Sequence, residues 1–188
     1  SSPNQVDLIA AEQFSILRPI SGPIQSQRYN FDGFLLSAGA PQVFTYVQLF
    51  KNGCIEAAMN HVTMERDGRS VIPSLTFDKR VLGALKIYLE AMQKLNIAPP
   101  WAIMITLEGI AGAILGVGQR GDTYFDTRSP EPISDPILEL PEVFIEDYGS
   151  WDDYQQALRP AFDSLWNAGG WPASRHFDSG GVWVGDSR

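Results

Sequence analysis

The pair Asn52-Gly53 separates two runs of strand-forming residues, and no other feature of this chain constrains its fold as tightly. Before it, Val43, Phe44, Thr45, Tyr46, Val47, Leu49 and Phe50 combine β-branched and aromatic side chains that suit a pleated sheet. After it, Cys54 to Met59 continues in the same manner. A hairpin is predicted here, with both turn residues at positive φ. Alternation puts Phe44, Tyr46, Gln48 and Phe50 on one face, and Val43, Thr45, Val47 and Leu49 on the other. Both faces are largely apolar, so the ribbon needs cover on both sides or leaves one side for a partner.

The clearest helix runs from Thr76 to Leu95. Phe77, Val81, Leu82, Leu85, Tyr88, Leu89, Met92 and Leu95 recur at steps of three and four, which makes one apolar stripe suited to crossing a sheet. Thr76 is the predicted cap, and Pro99-Pro100 stops the helix. Trp101 to Leu107 reads as a buried strand, and Ile110 to Val117 is predicted to pair back on it. Glu142 to Tyr148 reads as a short edge strand. Ser150 caps a last helix through Asn167, which Pro160 is predicted to kink or split. Residues 1–30 read as an arm or linker, because Pro19, Gly22 and Pro23 interrupt any regular element. Trp171 to Arg188 has no period and reads as an extended tail pinned by Trp171, Phe177 and Trp183. The expectation is a single α+β domain over residues 31–188, a mainly antiparallel sheet of about five strands packed by two principal helices.

Charge is uneven. Ten carboxylates face one cation, Arg128, between Gly121 and Tyr154, while the chain as a whole carries −8. The remainder is therefore close to neutral. An acidic segment of this kind repels a phosphate backbone. A nucleic-acid reading would need a basic patch from Arg66, Arg69, Lys79, Arg80 and Lys86, which Asp67 and Asp78 dilute. No apolar run is long enough to span a bilayer, so no membrane partner is expected. The lone cysteine, Cys54, excludes an internal disulfide and reads as a small buried hydrophobe. A reducing, cytoplasmic setting follows. The first residue is not Met and no basic leader precedes an apolar run, so a fragment of a longer chain is expected.

Chemistry-bearing motifs are sparse. Gly109, Gly112, Gly116 and Gly118 lack the strand–loop–helix spacing of a phosphate cradle and are read as small residues in a crowded strand. His61 lies in Asn60-His61-Val62-Thr63-Met64-Glu65, which is no zinc motif. His176 stands beside Arg175, and spacing suggests no carboxylate, Ser or Cys partner for either histidine. No metal site or cofactor is expected. The sharpest enzymatic reading gathers Glu108, Asp122 and Asp126 around a divalent cation as a small hydrolase. The alternative is a binding module whose surface includes Phe44, Tyr46, Phe50, Trp171 and Trp183.

The run Leu158-Arg159-Pro160-Ala161-Phe162-Asp163-Ser164-Leu165-Trp166-Asn167-Ala168-Gly169-Gly170-Trp171-Pro172, with Leu140-Pro141-Glu142-Val143 before it, resembles the C-terminal part of bacterial proteins that carry an N-terminal AlbA-type, Schlafen-like domain. Tyr29-Asn30-Phe31-Asp32-Gly33 and Ile97-Ala98-Pro99-Pro100 fit the same pattern, so the resemblance spans about Tyr29 to Trp183. It implies that nucleotide or nucleic-acid chemistry belongs to the N-terminal part, and no catalytic residue carries over. The leading expectation is a non-enzymatic interaction, sensing or self-association domain, in a defence or transcriptional-control setting by analogy. Its partner would be the N-terminal part of the same parent protein or a second copy of itself.

Overall fold

A computed structural model describes residues 6–13, 16–39, 41–117 and 131–185. In chain order the elements are α1 (Leu8–Gln13), β1 (Ser26–Tyr29), β2 (Gly33–Ala38), β3 (Thr45–Phe50), β4 (Ile55–Met59), β5 (Met64–Arg66), β6 (Arg69–Pro73), α2 (Ser74–Lys94), β7 (Trp101–Ile103), β8 (Thr106–Glu108), β9 (Ile114–Gly116), β10 (Ile137–Glu139), β11 (Val143–Ile145) and α3 (Trp151–Ala168). The fold is α+β, with mostly antiparallel pairing. In place of one sheet of about five strands there are several small sheets, the largest of four strands. The chain forms two compact units, residues 1–61 with 80–98, and residues 62–79 with 99–188.

The first unit holds the four-stranded sheet, in the order β1-β2-β3-β4. The expected hairpin is β3–β4, with Leu49 opposite Ile55. Its turn differs from expectation. Gly53 alone takes positive φ (92°), and its N–H donates to the Phe50 carbonyl at 3.0 Å, closing a loop of Lys51, Asn52 and Gly53. A turn ending in one left-handed glycine is the standard three-residue solution. Cys54 follows that loop and is exposed, against the expectation of a buried side chain. It pairs with Phe50 where the ribbon is just opening from its turn, beyond the packed part of the sheet. At Gly33 a Cβ would collide with the Leu49 carbonyl, so only glycine fits there.

Phe34, Leu36, Val47 and Leu49 pack with Ala84, Tyr88 and Ala91 of α2. The helix thus covers one face of the sheet, as its apolar stripe requires. Residues expected to be an arm join this core: Ala11, Ile16 and Leu17 are buried, and β1 pairs with β2. The Tyr88 hydroxyl donates to the Arg18 carbonyl at 2.9 Å.

The second unit joins β5 and β6 through Asp67-Gly68, both at positive φ (49° and 72°), a two-residue turn. The strand expected to pair back on Trp101–Leu107 is instead β9, parallel to β6, with Ile114 opposite Val71. The run Trp101–Leu107 is itself divided. β8 pairs with β10 and β7 pairs with β11, both antiparallel. α3 begins at a capping box in which Ser150 and Asp153 satisfy each other's backbone N–H. It is not split at Pro160. Pro160 and Gln156, whose carbonyl loses its helical donor, both lie on the exposed side, where water can serve that carbonyl.

Candidate functional site

β7–β8 and β10–β11 form one long two-stranded ribbon with a bulge. Glu108 faces Ile137 and Thr106 faces Glu139; beyond them Ile103 faces Val143 and Trp101 faces Ile145. Between these pairs Met104 and Ile105 oppose Leu140, Pro141 and Glu142, so one strand carries an extra residue. Pro141 has no N–H to offer a ladder and suits a bulge. Leu140 N–H still reaches the Ile105 carbonyl, at 3.0 Å.

The bulge keeps both strands in phase with one inner face. Trp101, Ile103, Ile105 and Leu107 turn inward, as do Leu138, Leu140, Val143 and Ile145. β11 packs against α3, and the Trp101 ring lies 6.5 Å from that of Tyr154. The opposite face is exposed. It carries Ala102, Met104, Thr106 and Glu108 on one strand, and Ile137, Glu139, Glu142, Phe144 and Glu146 on the other. Met104 is 69% exposed, Phe144 57% and Ile137 53%. Apolar side chains singly exposed are ordinary, but Met104 and Phe144 stand at neighbouring outward positions of the two strands, with Ile137 farther along the same face beyond Glu139. No Lys or Arg occurs in residues 101–117 or 131–150, so four glutamates stand uncompensated by sequence neighbours.

A second cluster lies beneath the tail of the same unit. Asp78, on α2, is buried, and its Oδ2 lies 2.7 Å from His176 Nδ1 and accepts from Trp183 Nε1 at 3.3 Å. Its Oδ1 is buried with no hydrogen-bond partner among the described residues. Burial holds the Asp78 carboxyl above its ordinary value, against the bonds from His176 and Trp183 that pull it down. His176 packs edge-on to Trp166, with centroids 5.1 Å apart. Buried Gln155 accepts from Trp183 N–H at 2.6 Å, and Asp163 accepts from Ser174 N–H at 2.8 Å. Arg159 donates to the Asp178 carbonyl at 3.1 Å. A buried carboxylate on imidazole Nδ1 is the arrangement that orients catalytic histidines. Here the same carboxylate also holds the Trp183 indole, and both donors come from the tail, so the cluster pins the tail to α2 and α3. Spacing gave no hint of this partner for His176.

The other residues singled out from sequence are scattered. Glu108 is exposed on the outward ribbon face; Asp122 and Asp126 lie outside the described residues. Among the described residues, no group of three or more His, Cys, Asp or Glu could hold a metal ion. His61 is exposed. Phe44, Tyr46 and Phe50 are half-buried in the first unit, and the Tyr46 hydroxyl donates to Glu56 at 2.6 Å, a bond that pushes it up to about 12. Trp171 and Trp183 are half-buried in the second unit, Trp171 with the Arg175 guanidinium 4.1 Å from its ring. Of the basic residues, Arg66 and Arg69 face each other across β5–β6 and share the second unit with Lys79; Arg80 and Lys86 belong to the first. Among the described residues, no helix is long and apolar enough to cross a membrane. Comparison with protein-family models, curated proteins and solved structures found no match.

Proposed function

We propose that this chain is a non-enzymatic interaction domain whose outward ribbon face docks a protein partner. The observation that carries this reading is the exposure of Met104, Ile137 and Phe144 on one side of a ribbon whose other side is packed. A strand that buries one face normally presents polar residues on the other. This one sets methionine, isoleucine and phenylalanine among its glutamates, at a cost in solubility that a partner would offset. The resemblance to Schlafen-like proteins suggests the setting, an accessory domain serving the N-terminal part of a longer protein; that setting rests on the residues quoted for it.

The test is the native mass of the protein in extracts of its own cells. Wild type is expected to elute in an assembly, and Met104→Ser with Phe144→Ser is expected to release it while leaving its melting temperature unchanged. Identical elution of the two proteins would contradict the proposal.

A further inference from the structure

We infer that the partner of the outward ribbon face is a protein segment that interleaves Lys or Arg with apolar side chains, and this rests on the docking role proposed above. The face is acidic as well as apolar. Glu108 stands beside Ile137, Glu139 is opposite Thr106, and Glu142 and Glu146 flank Phe144 along the chain. All four glutamates are exposed.

Charge discriminates among possible occupants. A second copy using the same face would bring four further glutamates against these four. Like charges set against each other across an interface disfavour that assembly. A phosphate backbone meets the same repulsion. An acidic protein segment would bury the apolar side chains but leave its own charges against these glutamates. A basic, amphipathic segment satisfies both demands. Its apolar side chains cover Met104, Phe144 and Ile137, and its cations reach the glutamates between and beyond them, where they set orientation and association rate.

The spacing also favours an extended partner. Outward residues on each strand recur every second position, about 6.5 to 7 Å apart. The side chains that such a segment turns toward the ribbon also recur every second residue, so one whose facing positions i, i+2, i+4 interleave apolar and basic residues matches that repeat.

The experiment uses the chain with synthetic peptides of about nine residues in which every second position alternates Lys/Val, Ser/Val, Glu/Val or Lys/Ser and the positions between are Thr, followed by calorimetry and by amide chemical shifts. Lys/Val is expected to bind with shifts confined to Ala102, Met104, Thr106, Phe144 and their neighbours, and to weaken as salt rises. Glu139→Gln with Glu142→Gln is expected to weaken it about tenfold, and Met104→Ser with Phe144→Ser by a similar factor. If Ser/Val or Glu/Val binds the same face as well as Lys/Val, the docking face stands and the basic partner is wrong. If Lys/Ser binds as well as Lys/Val, only bulk charge is at work and both readings fail. If no peptide shifts the ribbon, both readings also fail.

Discussion

His176 Nδ1 lies 2.7 Å from Asp78 Oδ2, although 98 positions separate the two residues in the chain. Both are buried, and the Trp183 indole N–H shares the same oxygen. Removing the carboxylate strands the buried His176 and the half-buried Trp183 indole, and unpaired buried groups are costly. Asp78→Ala is expected to destabilise the protein by about 3 kcal/mol, and a double-mutant cycle with His176→Ala is expected to give a coupling of about 1 to 3 kcal/mol. Urea unfolding of the four proteins measures both. Additive effects would mean that the contact contributes nothing.

The same carboxylate sets a pH dependence. Its folded-state value lies above the ordinary 3.8 because burial outweighs the two hydrogen bonds. The folded chain therefore binds this proton more readily than the unfolded chain does. Asp78's contribution is fully present below the ordinary value and is lost as pH rises through the folded one. Stability of wild type minus that of Asp78→Asn is expected to fall as pH rises across this window. Calorimetric melting of the two proteins over that range checks the sign, and a flat or rising difference contradicts it.

The N-terminus of α3 makes the opposite case. Hydrogen bonds from the Ser150 hydroxyl and backbone hold the Asp153 carboxyl below its ordinary value. Its contribution is present above the ordinary value and is lost as pH falls through the depressed one. Ser150→Ala removes the side-chain half of the capping box and is expected to cost about 1 kcal/mol at neutral pH. That cost is expected to shrink in acid, as chemical denaturation at two pH values would show.

The two faces of the ribbon are expected to respond differently. Leu107, on the inner face, is buried; Leu107→Ala is expected to cost about 2 to 4 kcal/mol. Met104→Ser lies on the same strand but outward, and is expected to stay within about 0.5 kcal/mol of wild type. Equal losses at the two positions would mean that the outward face is packed.

Much of the fold was legible in sequence because its signals are local. The hairpin at Asn52-Gly53, the stripe of α2 and the Ser150 cap each depend on neighbours in the chain. The misses depend on distant or subtle balances. Asp67-Gly68 is an exception, a local two-residue turn signal set between two arginines that read as a basic loop. The alternation of Trp101, Ile103, Ile105 and Leu107 with Ala102, Met104, Thr106 and Glu108 was present, but Met104 made the run look buried on both sides. The partner strand hides its own alternation, because the bulge at Leu140–Glu142 shifts its phase by one residue. Asp78 and His176 meet only through tertiary folding, and no spacing rule connects them. Pro160 keeps α3 intact because the carbonyl it leaves unpaired faces solvent.

The most direct test of the docking face is a photo-reactive benzoylphenylalanine placed at Phe144 in living cells, with Gln27 of the exposed strand β1 as control. A discrete adduct of fixed mass is expected from position 144, absent from position 27 and lost when Met104 is also changed to Ser. No adduct from position 144, or equal adducts from both positions, would contradict the account.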